Sequence, residues 1–303
     1  VGFPLLIKAS AGGGGKGMRI VMDKEGFEAA LTQAKQEALN AFGDDKVLLE
    51  KYIVRSRHIE VQVVGDSQGN VCHLFDRECS IQRNYQKVIE EAPAGHLSQE
   101  TRQGLFDCAV KLAQHLNYQG AGTVEFIVDA DTQDYYFLEM NTRLQVEHPT
   151  TEMVTGLDLV VLQIQIAQGE SLPFEQSDVT IEGHAIEARV NAEDPSNNYL
   201  PEIGSINLYR EPQVAGLRVD SGVAQGSSIT PFYDSMVAKV IACGDARGVA
   251  AQKLVQGLGD FAIAGVNTNR EFLMSLLSRP AFHQELTTQY IENAFPDGWQ
   301  PWG

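Results

Sequence analysis

Basic residues are scarce in this chain: 23 Lys and Arg stand against 40 Asp and Glu, leaving a formal net charge of −17. That balance argues against nucleic acid or an anionic membrane as a partner, since both require a positive surface. Cysteine is also sparse. The four present (Cys72, Cys79, Cys108 and Cys243) show no C-x-x-C spacing, which speaks against a disulfide framework or a thiolate metal site and fits a reducing, cytoplasmic setting. No run of 18 apolar residues is long enough for a membrane helix, and no signal peptide opens the chain. The first residue is Val1 rather than Met, so the chain reads as a piece of something longer. There is no internal repeat and no low-complexity tract beyond one glycine run. What the chain has is 303 residues with 43% apolar content. That is enough for real cores and for about two domains at roughly 100–200 residues each.

The most informative stretch is Glu139-Met-Asn-Thr-Arg-Leu-Gln-Val-Glu-His148, in which polar residues alternate with Met, Thr, Leu and Val. Read as an extended strand, it would line up Glu139, Asn141, Arg143, Gln145 and Glu147 on one wall. Just before it, Gly122 to Val128 and Tyr135 to Met140 form a predicted hairpin about the polar turn Asp129 to Asp134. Centred on Thr132, that hairpin sets Glu125 across from Glu139. Carboxylates so paired repel, with Cβ atoms roughly 4.5–5.5 Å apart. A hard divalent cation between them would relieve the repulsion, and magnesium is usually held by one or two carboxylates plus substrate phosphates. Glu125, Glu139 and Asn141 are therefore read as a Mg²⁺ (or Mn²⁺) nucleotide site. The bland alternative is a solvated hairpin face.

Near the start, the apolar runs Phe3 to Ile7 and Met18 to Val21 flank Ala11-Gly-Gly-Gly-Gly-Lys16-Gly17. Strands on both sides make this a glycine hairpin loop. Gly12, Gly14 and Gly17 satisfy G-x-G-x-x-G, yet no helix follows directly as a dinucleotide fold needs. The P-loop pattern fails because Lys16 precedes Gly17 rather than Ser or Thr. What remains is a phosphate-covering loop of the kind kinases use, with Lys8 on the incoming strand; a plain flexible loop is the alternative.

Composition and spacing predict a helix over Lys24 to Phe42, strands at Val47 to Ile53 and His58 to Val64, and a turn over Asp66 to Asn70. Val71 to Phe75 pairs back, whereas Asp76 to Pro93, dense in ionisable groups, follows no clean period and could be a solvated loop. A helix over Ser98 to Leu116, with Ser98 as N-cap, and another from Asp158 to Gln168 follow. A polar connector at Pro173 to Ile181 marks a boundary. Beyond it come strands at Gly183 to Asn191, Gly204 to Tyr209, Met236 to Ala242 and Asp260 to Ile263, and helices at Arg247 to Leu258 and Asn269 to Leu277. The Pro-, Gly- and Trp-rich tail after Ala294 is expected to fray.

Several blocks share a family. They are Lys8-Ala-Ser10 with the glycine loop, Glu50-Lys-Tyr52, His58-Ile-Glu60, and Arg77-Glu-Cys-Ser80 with Gln86-Lys87 and Glu90-Glu-Ala-Pro93. Glu139 to Pro149, Ile186-Glu-Ala-Arg189 with Ala192-Glu-Asp-Pro195, and Tyr233-Asp-Ser-Met236 complete the set. In this order, from Val1 to about Glu292, they resemble the biotin carboxylase component of biotin-dependent carboxylases. The resemblance implies an α+β chain: part of an ATP-grasp fold over 1–180, with its glycine-loop lid in 1–46, then the biotin carboxylase C-terminal domain over 181–294 and a tail over 295–303.

It implies an ATP-dependent ligase in which MgATP phosphorylates bicarbonate, carboxyphosphate releases CO₂, and biotin supplied in trans on a carrier domain is carboxylated. By resemblance, Lys8, Gly13, Gly14, Gly15, Met18, Glu50, Lys51, Ile53, His58, Gln82 and Ile127 bind ATP, and Lys87 holds phosphates. Glu125, Glu139 and Asn141 bind the metal, as the hairpin argument gave independently. Arg143, Gln145 and Val146 hold bicarbonate, Glu147 is the base that deprotonates it, and Arg189 stabilises the biotin enolate oxygen. The chemistry suits these types: phosphoryl transfer is mostly positioning and charge stabilisation, and a planar guanidinium offers paired donors to an oxyacid. For Arg189, an ion pair with Glu187 on the same strand face is the plainer alternative.

The sequence departs from the family in three ways. The family's N-terminal nucleotide-fold domain and a further ATP-binding lysine would precede Val1. Where the family commonly has Arg-Arg-His, this chain has Arg83-Asn84-Tyr85, which replaces an imidazole by a phenol. No biotin attachment motif or carboxyltransferase region follows. Expected partners are therefore a biotin carboxyl carrier domain, a carboxyltransferase and a second copy of the chain. Glu147-His-Pro149 and Thr155-Gly-Leu-Asp158 favour the α subunit of an acyl-CoA carboxylase. Another ATP-grasp ligase, of the carbamoyl phosphate synthase kind, is the runner-up, and an inactive fragment retaining only assembly contacts is the third reading.

Overall fold

The computed structural model describes residues 1–11 and 17–301. The expected phosphate contacts of Gly13, Gly14 and Gly15 lie outside the described residues. Two compact units emerge, one of residues 1–56 with 83–86, the other of 57–82 with 87–303.

In the first unit, β1 (Leu5–Ala9), β2 (Met18–Val21) and β3 (Val47–Lys51) form an antiparallel sheet in the order β2-β1-β3. Leu5, Ile7 and Val21 pack against Ala34 of α1 (Phe27–Phe42). The alanines let the helix backbone approach the sheet closely. The helix starts three residues later than its composition suggests, because Asp23 Oδ1 accepts from the amides of Glu25 and Gly26 and holds a turn there. It ends at Gly43, whose φ of 73° is a left-handed cap that only glycine adopts freely. Asn84 and Tyr85, with φ of 49° and 64°, join two strands through a two-residue turn of the primed type. Tyr85 is 61% exposed there.

The second unit is built on an antiparallel sheet of eight strands. Its members include β4 (Ser56–Gly65), β5 (Val71–Arg83), β6 (Gln86–Ala92), β7 (Gly120–Asp129), β8 (Tyr135–Asn141) and β9 (His184–Asn191). The strands Leu217–Ser221 and Met236–Gly244 extend it beyond β9, so the order reads Leu217–Ser221, Met236–Gly244, β9, β6, β5, β4, β7, β8. Helix α2 (Gln99–His115) covers one stretch through Leu105, Phe106, Ala109 and Ala113, packed on Ile59, Val61, Val124 and Phe126. Its start is set as expected, Ser98 Oγ accepting from the Thr101 amide at 3.0 Å. A second core joins β9 and Met236–Gly244 to α5 (Arg247–Asp260) and α6 (Arg270–Leu277), with α3 (His148–Thr155) and α4 (Leu159–Ala167) preceding β9 in the chain. Truncating a fully buried member such as Leu254 to Ala costs about 2–5 kcal/mol.

The structure corrects three expectations. Residues 76–92 are not a loop: they continue β5 and form β6, and their charged side chains Asp76, Arg77, Glu78, Glu90 and Glu91 are buried. Periodicity failed there because both faces of these central strands are enclosed, so polar residues point inward wherever partners wait. Over its described residues, up to 301, the tail is held rather than frayed, since Trp299, only 5% exposed, packs edge-on to Phe272 and donates its indole N–H to Ser275 Oγ at 3.1 Å. The extended wall from Glu139 to Glu147 ends at Asn141. Strand β8 has β7 as its one neighbour, and the last pair is Thr123 with Asn141. Beyond it, the Gly122 carbonyl accepts from Gln62 Nε2 at 2.8 Å. The chain turns and enters α3, with Pro149 in its first turn.

Candidate active site

Although the strand wall is lost, the turn that replaces it carries Gln145 and Glu147 into the buried heart of the second unit. Strand β4 supplies His58, Glu60 and Gln62 from one face, and β5 sets Arg77 directly opposite Glu60. The Arg77 guanidinium, fully buried, donates to Glu60 Oε2 at 3.0 Å, Gln62 Oε1 at 2.7 Å, Thr151 Oγ1 at 3.0 Å, Thr123 Oγ1 at 3.1 Å and Gln145 Oε1 at 3.3 Å. The Gln145 amide is thereby held at both ends, because its Nε2 donates to Glu125 Oε1 at 2.8 Å.

Lys87 is the hub. Its ammonium pairs with Glu60, with Glu125 Oε1 at 2.9 Å and with Glu147 Oε1 at 2.7 Å. Burial works against its charge, but Glu60 and the other anions outweigh burial and hold its pKa above the ordinary lysine range. The carboxyls of Glu60 and Glu125 are likewise held below their usual range, burial opposing and their cationic partners prevailing. His58 Nε2 lies 3.0 Å from Glu125 Oε2 and 3.4 Å from Glu60 Oε1, while its Nδ1 is 2.8 Å from Gln82 Nε2. Burial lowers the imidazole pKa, and the neighbouring Glu125 and Glu60 carboxylates raise it to about 9. On the far side of Glu147, Oε2 accepts from Arg189 at 2.9 Å, and Arg189 also pairs with Glu90. The Val146 carbonyl accepts from Lys239 Nζ.

Glu125 does face Glu139, and the register slips by one residue just beyond it, a bulge of the kind that re-aims side chains. Between the two carboxylates lies the Asn141 amide, its Nδ2 2.9 Å from Glu125 Oε1 and 3.3 Å from Glu139 Oε1. Two carboxylates and an amide that can turn its oxygen inward are all hard donors, so this set fits Mg²⁺ or Mn²⁺. Arg143 is exposed, its guanidinium 3.4 Å from Asn141 Oδ1 and from the Leu144 carbonyl. Ile127 lies on β7 opposite Tyr136.

Within the first unit, Lys8 lies on β1 opposite Met18 and pairs with Glu50 Oε1 at 3.6 Å. Lys51 is exposed and Ile53 buried. Sequence reasoning missed Glu60, Arg77 and Glu90 as site members. The period-2 alternation of His58, Glu60 and Gln62 was the signal that pointed to one face of β4, and Glu60 and Arg77 proved to be partners across it.

Residues 1–175 match the family described as "Carbamoyl-phosphate synthase L chain, ATP binding domain", and residues 187–293 match "Biotin carboxylase C-terminal domain". Biotin carboxylase 1 of Bacillus subtilis is 49% identical over 293 residues, 96% of this chain and 65% of that protein. The methylcrotonoyl-CoA carboxylase subunit alpha of Arabidopsis thaliana, a mitochondrial protein, is 49% identical over 296 residues, 97% of this chain and 40% of that protein. Among solved structures, the biotin carboxylase domain dimer of Hydrogenobacter thermophilus 2-oxoglutarate carboxylase, in complex with MgADP, ADP and bicarbonate, superposes with a TM-score of 0.91 at 45% identity. The match covers 98% of this chain and 65% of that one. The chain thus spans between about two fifths and just under two thirds of the length of these three relatives. The C-terminal match and these relatives separate it from the carbamoyl-phosphate synthases after which the first family is named. With an ATP-grasp region running into a biotin carboxylase C-terminal domain, the chain belongs to the biotin carboxylase family.

Proposed function

We propose that this chain carries the biotin carboxylase reaction, in which MgATP activates bicarbonate and the resulting CO₂ is passed to biotin on a carrier domain. One observation carries the reading: Glu147 presents a buried carboxylate with Lys87 on one oxygen and Arg189 on the other, beside a Gln145 amide locked by Arg77 and Glu125. A base must lie within hydrogen-bond reach of the proton it takes, and bicarbonate docked against Gln145 and Arg143 would present its O–H to Glu147. The deprotonated oxygen then attacks the γ-phosphorus of ATP while ADP leaves, and Lys87 neutralises charge on the transferring phosphoryl group. Glu125, Glu139 and Asn141 would hold the metal, which would supply positive charge to offset that of the phosphates. Arg189, bonded to Glu147 Oε2 at 2.9 Å, aims the carboxylate. Lys8, Met18, Glu50, Lys51, Ile53, His58, Gln82 and Ile127, with Gly13, Gly14 and Gly15, are proposed ATP contacts.

The Hydrogenobacter relative, crystallised with MgADP and bicarbonate as a dimer, supports both ligands and a homodimer. A carrier domain and a carboxyltransferase complete the proposed assembly, an acyl-CoA carboxylase by analogy with the Arabidopsis relative. Among the described residues no helix is long and apolar enough to cross a membrane, and a cytoplasmic placement is part of the proposal. The decisive experiment is ADP release by the chain within its full-length protein, with and without bicarbonate and free biotin. Release that requires bicarbonate and rises with biotin is the expected result; release indifferent to both, or dependent on ammonia, overturns the reading.

A further inference from the structure

Antiparallel pairing of β6 with β9 sets Glu90 directly opposite Glu187. Both side chains are 0% exposed. Cross-strand partners of this kind have Cβ atoms roughly 4.5–5.5 Å apart, so two ionised carboxylates would face each other without water between them. Yet the surroundings do not neutralise two charges. Arg189, next but one to Glu187 on β9, pairs with Glu90 Oε1 but also serves Glu147. Lys87 on β6 is taken by Glu60, Glu125 and Glu147. Lys239, opposite Arg189 on the neighbouring strand, is held by the Val146 carbonyl and lies 3.7 Å from Asp220. From α3, His148 is bonded to the Gln145 carbonyl and Glu152 to Arg218. From α5, Arg247 is paired with Glu91 and Lys253 with the Cys243 carbonyl.

Three oxygens in this corner have no hydrogen-bond partner: Glu90 Oε2 and both oxygens of Glu187. Buried oxygens are rarely left so, and an orphaned carboxylate costs more than a neutral group. A proton on one Glu187 oxygen donated to Glu90 Oε2 would satisfy two of the three oxygens, leave the third as a neutral carbonyl rather than a charged one, and remove one charge, as in carboxylate pairs that cannot both ionise.

We infer that Glu90 and Glu187 hold one proton between them, a carboxylic acid facing a carboxylate, and that this buried pair positions the Arg189 guanidinium against Glu147. Burial, only partly offset by Arg189 and reinforced by Glu147, pushes Glu90 up to about 7, and burial together with Glu90 pushes Glu187 well above the ordinary range. The pair is a positioning element, acting on Glu147 through Arg189. The inference rests on the proposed function only for what Arg189 and Glu147 are used for.

The test uses the purified chain with carbon-13-labelled glutamate and follows the infrared band of protonated carboxyl groups. At about pH 6.5, where ordinary glutamates near 4.3 are ionised, one protonated carboxyl is expected. It should vanish in Glu187→Gln and in Glu90→Gln, where one charge remains for Arg189 to balance. Absence of the band in the unaltered chain, or its survival in both variants, overturns the inference, and the unaltered chain decides alone if a variant does not fold.

Melting temperature gives a second readout. A carboxyl whose folded pKa is raised makes the native state bind more protons, so stability falls as pH rises from the unfolded value towards the folded one. The unaltered chain should lose melting temperature between about pH 5 and about pH 8, and Glu187→Gln should flatten that slope; an unchanged slope counts against the pair. Neither readout needs turnover, so failure of the carboxylase reading and failure of this inference are distinguishable. In the full-length protein, Glu187→Gln should also remove a limb from the pH profile of bicarbonate-dependent ADP release while leaving the MgATP melting shift in place. A profile identical to the unaltered protein would overturn the positioning role.

Discussion

The interior of the candidate site and its rim use the same residue types to opposite effect. Inside, Glu60, Arg77, Lys87, Gln145 and Glu147 are fixed by protein partners at several atoms each, and the Lys87 ammonium is shared among three carboxylates. At the rim, Glu139 is exposed and touches the Asn141 amide at 3.3 Å, and Arg143 is exposed with contacts of 3.4 Å. The interior is arranged before any substrate arrives, which favours electrostatic stabilisation without reorganisation at the moment of reaction. The rim leaves its charges in water, at little cost, for a metal or an oxyacid to recruit. Interior substitutions should therefore damage folding and chemistry together, and rim substitutions should damage binding while sparing the fold.

Lys87→Met breaks the interior most severely. It strands Glu60, Glu125 and Glu147 without their shared cation, and removing one partner of a buried ion pair costs about 3–5 kcal/mol. Urea unfolding of the chain should show that loss; a change under about 0.5 kcal/mol, typical of a surface site, would mean that the hub does not hold the interior together. Glu147→Gln tests the same interior more gently, since the amide keeps the shape and one acceptor. Bicarbonate-dependent ADP release should fall about 10²–10⁴-fold, the range for a general base. The rise in melting temperature on adding MgATP should persist, as any ligand of the native state produces one. Turnover retained within a few-fold would remove Glu147 from the base role.

The two regions also differed in how far they could be read from the sequence. The rim was legible: alternation and a polar turn placed Glu125 opposite Glu139, and the structure has that register. Local pattern sufficed because a hairpin is a local object. The interior was legible in residue identity but not in geometry. Alternation through Glu147 suggested one continuous strand, whereas the chain leaves the sheet at Asn141 and reaches the same interior by a turn. Period alone cannot tell a strand from a turn whose polar groups converge on one point. Residues 76–92 were opaque for a different reason, as charges on strands enclosed on both faces have no solvent side to mark. Pairing of Arg77 with Glu60, or Glu90 with Glu187, is long-range and appears only once the sheet order is known.

Glu139→Gln sharpens the contrast from the rim side. The neutral amide keeps one oxygen donor but loses charge facing a divalent cation, so the affinity for MgATP should weaken about tenfold, worth about 1.4 kcal/mol. Stability without ligand should barely move, and slightly upward if it does, since a like-charged partner opposite Glu125 is gone. Isothermal titration with MgATP and urea unfolding without it check the two halves. Unchanged affinity would detach the metal from this hairpin.

Arg143→Ala should have the smallest effect. The guanidinium is exposed and makes no ion pair among the described residues, so unfolding free energy should stay within about 0.5 kcal/mol of the unaltered chain. The MgATP melting shift should be the same. Only bicarbonate should notice, because the paired N–H donors offered to its oxygens are lost; a contact between exposed charges is worth up to about 1 kcal/mol, so the KM for bicarbonate should rise up to about fivefold. Adding guanidinium ion should restore part of the loss if the missing group acts by binding alone. A large drop in kcat, with KM unchanged, would place Arg143 with the interior groups and erase the distinction between the two regions at this residue.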